Sequence, residues 1–186
     1  MIGYAFCGSF CTLADSLVAL EELACSGEEI LPIMSERTYE TDTRFFSAED
    51  FRRKVRVITG RNIVHTVKDA EPLGPATPLS ALILAPCTGN TLAKLASGIT
   101  DTSVTMAAKA HLRRDRPLLI ALASNDAMSQ NLANLGRLIT RRSVYFVPLR
   151  QDDTVGKPHS LVADMKRITE AYRAMQNGIQ LRPLFV

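Results

Sequence analysis

Two unbroken apolar runs limit the fold more than anything else in the chain: ALILA at 81–85 and PLLIALA at 117–123, the latter within RPLLIALAS (116–124). Each has the apolar, branched character of a strand buried on both faces, the pattern expected in a parallel sheet. Each also leads into residues at helical spacing: Leu92, Leu95 and Ala96 after the first, Leu132, Leu135 and Ile139 after the second. The same change of period occurs earlier. IGYAF (2–6) reads as a short strand before a helix carrying Leu13, Leu17, Leu20 and Ala24, which closes at Gly27. EILPIMS (29–35) reads as a strand whose Pro32 points to an edge position or an irregular end. SAEDFRRKVRVITG (47–60) then gives a helix with Ser47 as N-cap and Phe51, Val55 and Ile58 on one side.

Further elements extend the alternation. Residues 61–79, with Pro72, Gly74, Pro75 and Pro78, read as a loop. Asp101 or Thr102 caps a helix running to about Arg114. Residues 125–140 read as a helix, SVYFVPL (143–149) as a strand, and 160–178 as a final helix with Leu161, Met165, Ile168 and Tyr172 inward. The expected architecture is α/β, a Rossmann-like three-layer sandwich in which helices cover both faces of a parallel sheet, with 1–186 as a single domain.

Composition removes several classes of function. Hydrophobic residues make up 46% and charged residues 22%, an ordinary globular profile. A formal charge of +3 is too mild for a dedicated nucleic-acid binder, and the local clusters Lys109, Arg113, Arg114, Arg116 and Arg141, Arg142 read as solvated faces. No apolar run is long enough to span a bilayer, and MIGYAFCGSF lacks the basic flank and apolar stretch of a signal peptide, so a cytoplasmic protein is expected. The cysteines at 7, 11, 25 and 87 have no metal-site spacing. They are expected to be reduced thiols, three buried and Cys87 lining a loop.

In a parallel sheet, ligands bind beyond the carboxyl ends of the strands. Three loops fall there: CGSFC after the first strand, APCTGNT after ALILA and ASNDAMSQN after PLLIALA. Gly8 lets a backbone approach a ligand and Ser9 offers a hydroxyl at a helix start, which suits a phosphate; a tight capped turn explains the pair equally well. The turn is neither the three-glycine dinucleotide fingerprint nor the lysine-bearing loop of nucleoside triphosphatases. Asn90 can donate and accept, whereas Thr91 is equally explained as a helix-start hydroxyl and Cys87 as a small buried side chain. Met106, Met128 and Met165 read first as core fillers.

PCTGNTLAKLASGITDTSVTMAAKA (86–110) resembles the Pro-x-Ser-x-Asn-Thr loop and following helices of the flavin-containing cysteine decarboxylase superfamily, where that loop binds FMN. SNDAMSQN (124–131) stands at the place of the superfamily's Pro-x-Met-Asn-x-x-Met loop, and GSF (8–10) at its Gly-Ser turn for the flavin phosphate. The resemblance implies FMN phosphate at Gly8, Ser9, Phe10 and the hydroxyl of Ser35. It implies the isoalloxazine near Pro86, Cys87, Thr88, Asn90 and Thr91, with Ser124, Asn125 and Met128 closing the site. No metal is implied and no catalytic residue emerges.

Departures from the pattern narrow the activity. The enethiol-forming members carry a histidine at a position occupied here by Pro72, fourteen residues before Pro86, while His65 reads as a polar loop residue. No cysteine follows Cys87 to serve a substrate flap, and SNDAMSQN replaces the Arg-Glu-Thr-Pro of flavin prenyltransferases. Across essentially the whole chain, including GITDTSVTMAAKAHLRRDRPLLIALASNDAMSQN, YFVPLRQDD and KPHSLVAD, the sequence is similar to the dipicolinate synthase branch.

That similarity implies oxidation of a dihydrodipicolinate-type precursor, a small dicarboxylate, to dipicolinate during sporulation, in the mother-cell cytoplasm. The partner it implies is the synthase's A subunit, which carries the nicotinamide cofactor. It implies neither nucleic-acid nor membrane partners, and a homo-oligomer built from trimers. SVTMAAKAHL, apolar beyond one stripe, suits burial against another chain. Lys109, His111, Arg113 and Arg114 face solvent or a subunit on this reading, or else the substrate's carboxylates. The alternatives are a stand-alone FMN-dependent decarboxylase or prenyltransferase, and a non-catalytic scaffold of the same fold.

Overall fold

A computed structural model describes all of residues 1–186. Its elements in chain order are β1 (Ile2–Phe6), α1 (Leu13–Cys25), β2 (Ile30–Met34), α2 (Glu36–Glu40), α3 (Ala48–Thr59), α4 (Val67–Ala70), β3 (Leu82–Thr88) and α5 (Gly89–Ser97). They continue with α6 (Ser103–Leu112), β4 (Leu118–Ser124), α7 (Leu132–Ile139), β5 (Val144–Phe146), β6 (Leu149–Arg150), β7 (Leu161–Ala163) and α8 (Ile168–Gln176). The strands form one sheet in the order β2-β1-β3-β4-β7-β6, with β5 also paired to β4.

From β2 to β4 all pairings are parallel, and Leu82–Ala85 and Leu118–Leu122 are buried without a break, as their unbroken apolar sequences require. One edge of β4 is shared. Its start pairs in parallel with β5, and Ala123 and Ser124 at its end pair antiparallel with β7. β2 lies at a sheet edge, where the missing N–H of Pro32 costs nothing. Helices α1 and α8 pack against each other, while α6 lies along β2, β3 and β4.

Several local expectations change. The helix expected from residue 125 starts only at Leu132; before it, Asp126 O accepts from the N–H groups of Ser129 and Asn131, the kind of tight turn that polar side chains favour over helix. The strand 143–149 splits into β5 and β6 around Pro148. The helix 160–178 is a strand, a 3-10 turn at Met165–Arg167 and then α8. Leu161, Met165, Ile168 and Tyr172 are all buried, but Leu161 and Ala163 reach the core by strand alternation, a period that the four-residue spacing masked. Two short helices were missed: α2, capped by Ser35, and α4, capped by Thr66 inside the expected loop 61–79.

Other expectations hold or move in detail. Ser47 caps α3, and Gly60 ends that helix with a left-handed φ of 64°. Thr102 rather than Asp101 caps α6 in a reciprocal box with Thr105. The apolar excess of α6 is buried within the chain itself, from Ser103 and Val104 to Ala110 and His111. Cys7 and Cys87 are buried, but Cys11 and Cys25 are exposed, so two of the four thiols are covered, and Cys87 is one of them.

Candidate functional site

The chain leaves β1 toward β2 on one side and leaves β3 toward β4 on the other, so the crossover direction reverses between two adjacent strands. At such a switch point the loops beyond the carboxyl ends diverge and open a crevice. Gly8, Ser9 and Phe10 after β1, Thr88 and Asn90 after β3, and Ser124, Asn125 and Asp126 after β4 line one cleft of about 560 Å³. A second, wholly polar hollow of about 890 Å³ adjoins it. It shares Gly8, Thr88 and Asn90 and adds Ser35, Arg37, Thr91 and Lys94.

Buried hydrogen bonds hold the loops in register. The Tyr4 hydroxyl donates to Ser16 O at 2.9 Å, and Ser16 Oγ donates to Ala85 O at 2.6 Å, linking β1, α1 and the end of β3. Ser35 N donates to Phe6 O at 3.0 Å, and Ser103 Oγ donates to Met34 O at 2.6 Å, which ties the end of β2 to β1 and α6. Thr88 is the N-cap of α5: its Oγ1 accepts from Thr91 N at 3.1 Å and donates to Thr91 Oγ1 at 3.1 Å. Thr91 is therefore engaged as a helix-start hydroxyl.

Gly89 closes the site from below. A Cβ there would meet Ser124 Oγ, with Asn131 Nδ2 and Asp126 Oδ1 each at 2.7 Å, so only glycine allows the β3 loop to seat against the β4 loop. Those three side chains bond to one another: Ser124 Oγ donates to Asp126, and Asn131 Nδ2 donates to its other carboxylate oxygen at 2.9 Å. The Ser124 hydroxyl, with the Asn131 amide behind it, holds the Asp126 carboxyl below its ordinary value. Asp126 is thus an ionised structural bracket on the cleft wall.

The structure brings most of the sequence-derived residues together. Gly8, Ser9, Phe10, Thr88, Asn90, Ser124 and Asn125 share the cleft, and Ser35 and Thr91 lie on the adjoining hollow. Pro86 and Cys87, expected beside the ring, are buried beneath the surface, and Cys7 N donates to Pro86 O at 3.1 Å. Met128 packs against the core and does not line the cleft. Burial raises the Cys7 thiol to about 11 and raises Cys87 as well, so neither is a thiolate near neutrality.

The expected cations lie elsewhere. Lys109 and Arg113 line a separate groove with Leu95, Ile99 and Arg141, and His111 is buried with Nε2 donating to Pro117 O at 2.9 Å. His65 stacks on Tyr39 with ring centroids 3.7 Å apart, outside the cleft. Residues missed from the sequence are Arg37 in the hollow and Arg44, Asp126, Asp152 and Lys157 in the cleft. Asp126 sat within a loop already singled out, and Asp152 and Lys157 within YFVPLRQDD and KPHSLVAD, stretches that carried the resemblance but no assigned role; Arg37 and Arg44 lie in stretches without periodicity or motif.

The model of the family described as Flavoprotein matches residues 6–173. The B subunit of dipicolinate synthase from Bacillus subtilis (strain 168) is 37% identical over 185 residues, covering 100% of this chain and 92% of that protein. The crystal structure of the dipicolinate synthase B subunit from Bacillus halodurans C is also 37% identical, covers 100% and 95% of the two chains, and superposes with a TM-score of 0.91. A dodecameric FMN-dependent Ubix-like decarboxylase from Escherichia coli O157:H7 shares the fold at a TM-score of 0.68 and 21% identity, over 98% and 97% of the chains. The chain belongs to the flavoprotein family. Within that family it stands with the B subunits of dipicolinate synthase, to which it is homologous over its whole length.

Proposed function

We propose that this chain, as a single flavoprotein-like domain, is the B subunit of a dipicolinate synthase. It binds FMN and, together with an A subunit that carries a nicotinamide cofactor, oxidises a dihydrodipicolinate-type precursor to dipicolinate in a sporulating cell. The observation that carries the reading is the three-loop cleft at the switch point, in a chain similar to the synthase's B subunit from end to end. The homo-oligomer built from trimers and the nicotinamide cofactor of the A subunit are parts of the reading that rest on the sequence resemblance alone.

The residues present fit FMN. The hollow is lined only by polar residues, among them three carboxylates; Asp101 is paired with Lys94 and Glu36 accepts from Ser103 N, whereas Arg37 belongs to none of the six ion pairs and, with Ser35, Thr88 and Gly8 on the same lining, offers a phosphate its charge and polar contacts. The adjoining cleft offers Phe10 and Phe45 as apolar wall and the amides of Asn90 and Asn125 for a ring edge. When bound, a flavin supplies a two-electron acceptor. The protein's share is positioning: Asn90 orients the ring, the Ser124–Asp126–Asn131 bracket fixes the wall opposite, and the substrate is held so that loss of a hydride equivalent and a proton leaves an aromatic ring.

An anaerobic titration tests this. The purified chain is loaded with FMN, and dihydrodipicolinate is added with and without the A subunit while flavin absorbance and dipicolinate are recorded. Flavin bleaching that tracks dipicolinate, and is lost in Asn90→Ala, is the expected result. Absence of FMN binding, with dipicolinate formed only when the A subunit and a nicotinamide are present, overturns the flavin role and leaves this chain as a supporting subunit.

A further inference from the structure

We propose that Arg44 and Lys157 are the carboxylate-binding residues of the cleft, which hold a small dicarboxylate by its two ends. The inference rests on the proposed function only for the identity of the ligand. Among the 18 residues lining the cleft these are the only two cations. They come from unrelated segments: Arg44 from the connection between α2 and α3, Lys157 from the connection between β6 and β7. Neither residue lines the polar hollow proposed for the phosphate, so both cations remain for a second ligand when that hollow is filled.

Both side chains are held where they can serve. Arg44 makes no ion pair, and its guanidinium lies 4.8 Å from the ring centroid of Phe45, another cleft residue. Lys157 Nζ bonds Asp152 at 2.9 Å, an exposed pair that orients the ammonium and leaves two of its three protons free. The segment 151–160 has no helix or strand, yet it is laced by its own hydrogen bonds. Lys157 N donates to Asp153 O, Ser160 N to Lys157 O, and Gly156 N to Asp153 Oδ1 at 2.7 Å. Met128 N donates to His159 O at 2.9 Å and pins this segment to the β4 loop.

The two carboxylates already in the cleft each have donors of their own. Asp126 accepts from Ser124 and Asn131, and Asp152 accepts from Lys157 Nζ, so a ligand carboxylate competes with Asp152 for the lysine while Arg44 has no carboxylate paired to it. A ligand with one carboxylate satisfies one of the two cations, and a ligand with two satisfies both. The cleft should therefore discriminate by the number of carboxylates.

Calorimetric titration of the FMN-loaded chain with pyridine-2,6-dicarboxylate and with pyridine-2-carboxylate decides the point. The wild type is expected to prefer the dicarboxylate by about tenfold or more, the scale of one charge-assisted contact. Arg44→Gln and Lys157→Gln should each lose about tenfold for the dicarboxylate with FMN affinity unchanged, while Lys157→Arg stays within about threefold and Lys109→Gln, in the separate groove, has no effect. Equal affinity of wild type for the two ligands, or wild-type dicarboxylate binding by both glutamine variants, overturns the proposal. FMN affinity is measured separately. If the chain binds no FMN, the flavin reading fails, and the same titrations on the flavin-free chain still decide the roles of Arg44 and Lys157.

Discussion

Cys7 and Cys87 sit in the polar-looking loops of the sequence yet behave as core residues, because burial raises both thiols, Cys7 to about 11. Cys11 and Cys25 are exposed, and Cys11 lines the cleft. Titration of the native protein with a disulfide reagent at pH 8 should therefore find two fast thiols, with the other two reacting only after denaturation. FMN should slow Cys11 and leave Cys25 untouched, as peptide mapping would reveal. His111 sets a second residue-scale expectation. Its Nε2 bonds Pro117 O while Nδ1 is buried without a partner, and burial, aided by Arg116, lowers its pKa from the ordinary 6.5. Between the folded value and 6.5 the unfolded chain holds more protons, so the contribution of His111 to stability is full above 6.5 and is lost as pH falls through the folded value. Urea midpoints should fall from pH 7 to pH 5.5, and His111→Gln, which keeps a donor for Pro117 O, should flatten that slope; an unchanged slope would remove His111 from the account.

The elements that build the site meet through Gly89, where the start of α5 touches the turn after β4. Gly89→Ala must push apart Ser124, Asp126 and Asn131, whose mutual hydrogen bonds leave little room to yield. Overpacking of this kind costs about 1–3 kcal/mol. In a chain of this length that lowers the melting temperature by roughly 2–4 °C per kcal/mol, with weaker ligand binding because two cleft walls move. A wild-type melting curve for Gly89→Ala would mean that the loops adjust freely. Much of this geometry was legible in the sequence: buried strands announce themselves by unbroken apolar runs, and the ends of such strands locate Gly8, Thr88, Asn90 and Ser124 before the fold is known. Arg44 and Lys157 were not legible as cleft residues: the segment of Arg44 has no period, and KPHSLVAD carried a resemblance without a place in the fold, because it reaches the cleft through tertiary contacts such as Met128 N to His159 O. Residues 160–167 misled for a different reason, because Leu161 and Met165 keep a helical spacing while the backbone runs as a strand and a 3-10 turn.

For the whole molecule, the cleft and hollow exist only when segments near residues 8, 35, 90, 125 and 157 are brought to one edge of the sheet. A ligand of this site therefore binds the folded chain and not the unfolded one, and stabilises it by mass action: about 2.7 kcal/mol at a hundredfold excess over the dissociation constant. At roughly 2–4 °C per kcal/mol, saturating FMN should raise the melting temperature by about 5–11 °C. The division between hollow and cleft makes the test sharper. If Arg37 and the Gly8 turn receive the phosphate, riboflavin, which has the ring without the phosphate, must give a clearly smaller shift at equal concentration. Arg37→Gln should then bring the FMN shift down toward that of riboflavin without changing the ligand-free melting temperature, since Arg37 is exposed and makes no ion pair. Equal shifts for the two ligands would place the phosphate outside the hollow, and the separation of phosphate from ring along this sheet edge would have to be abandoned.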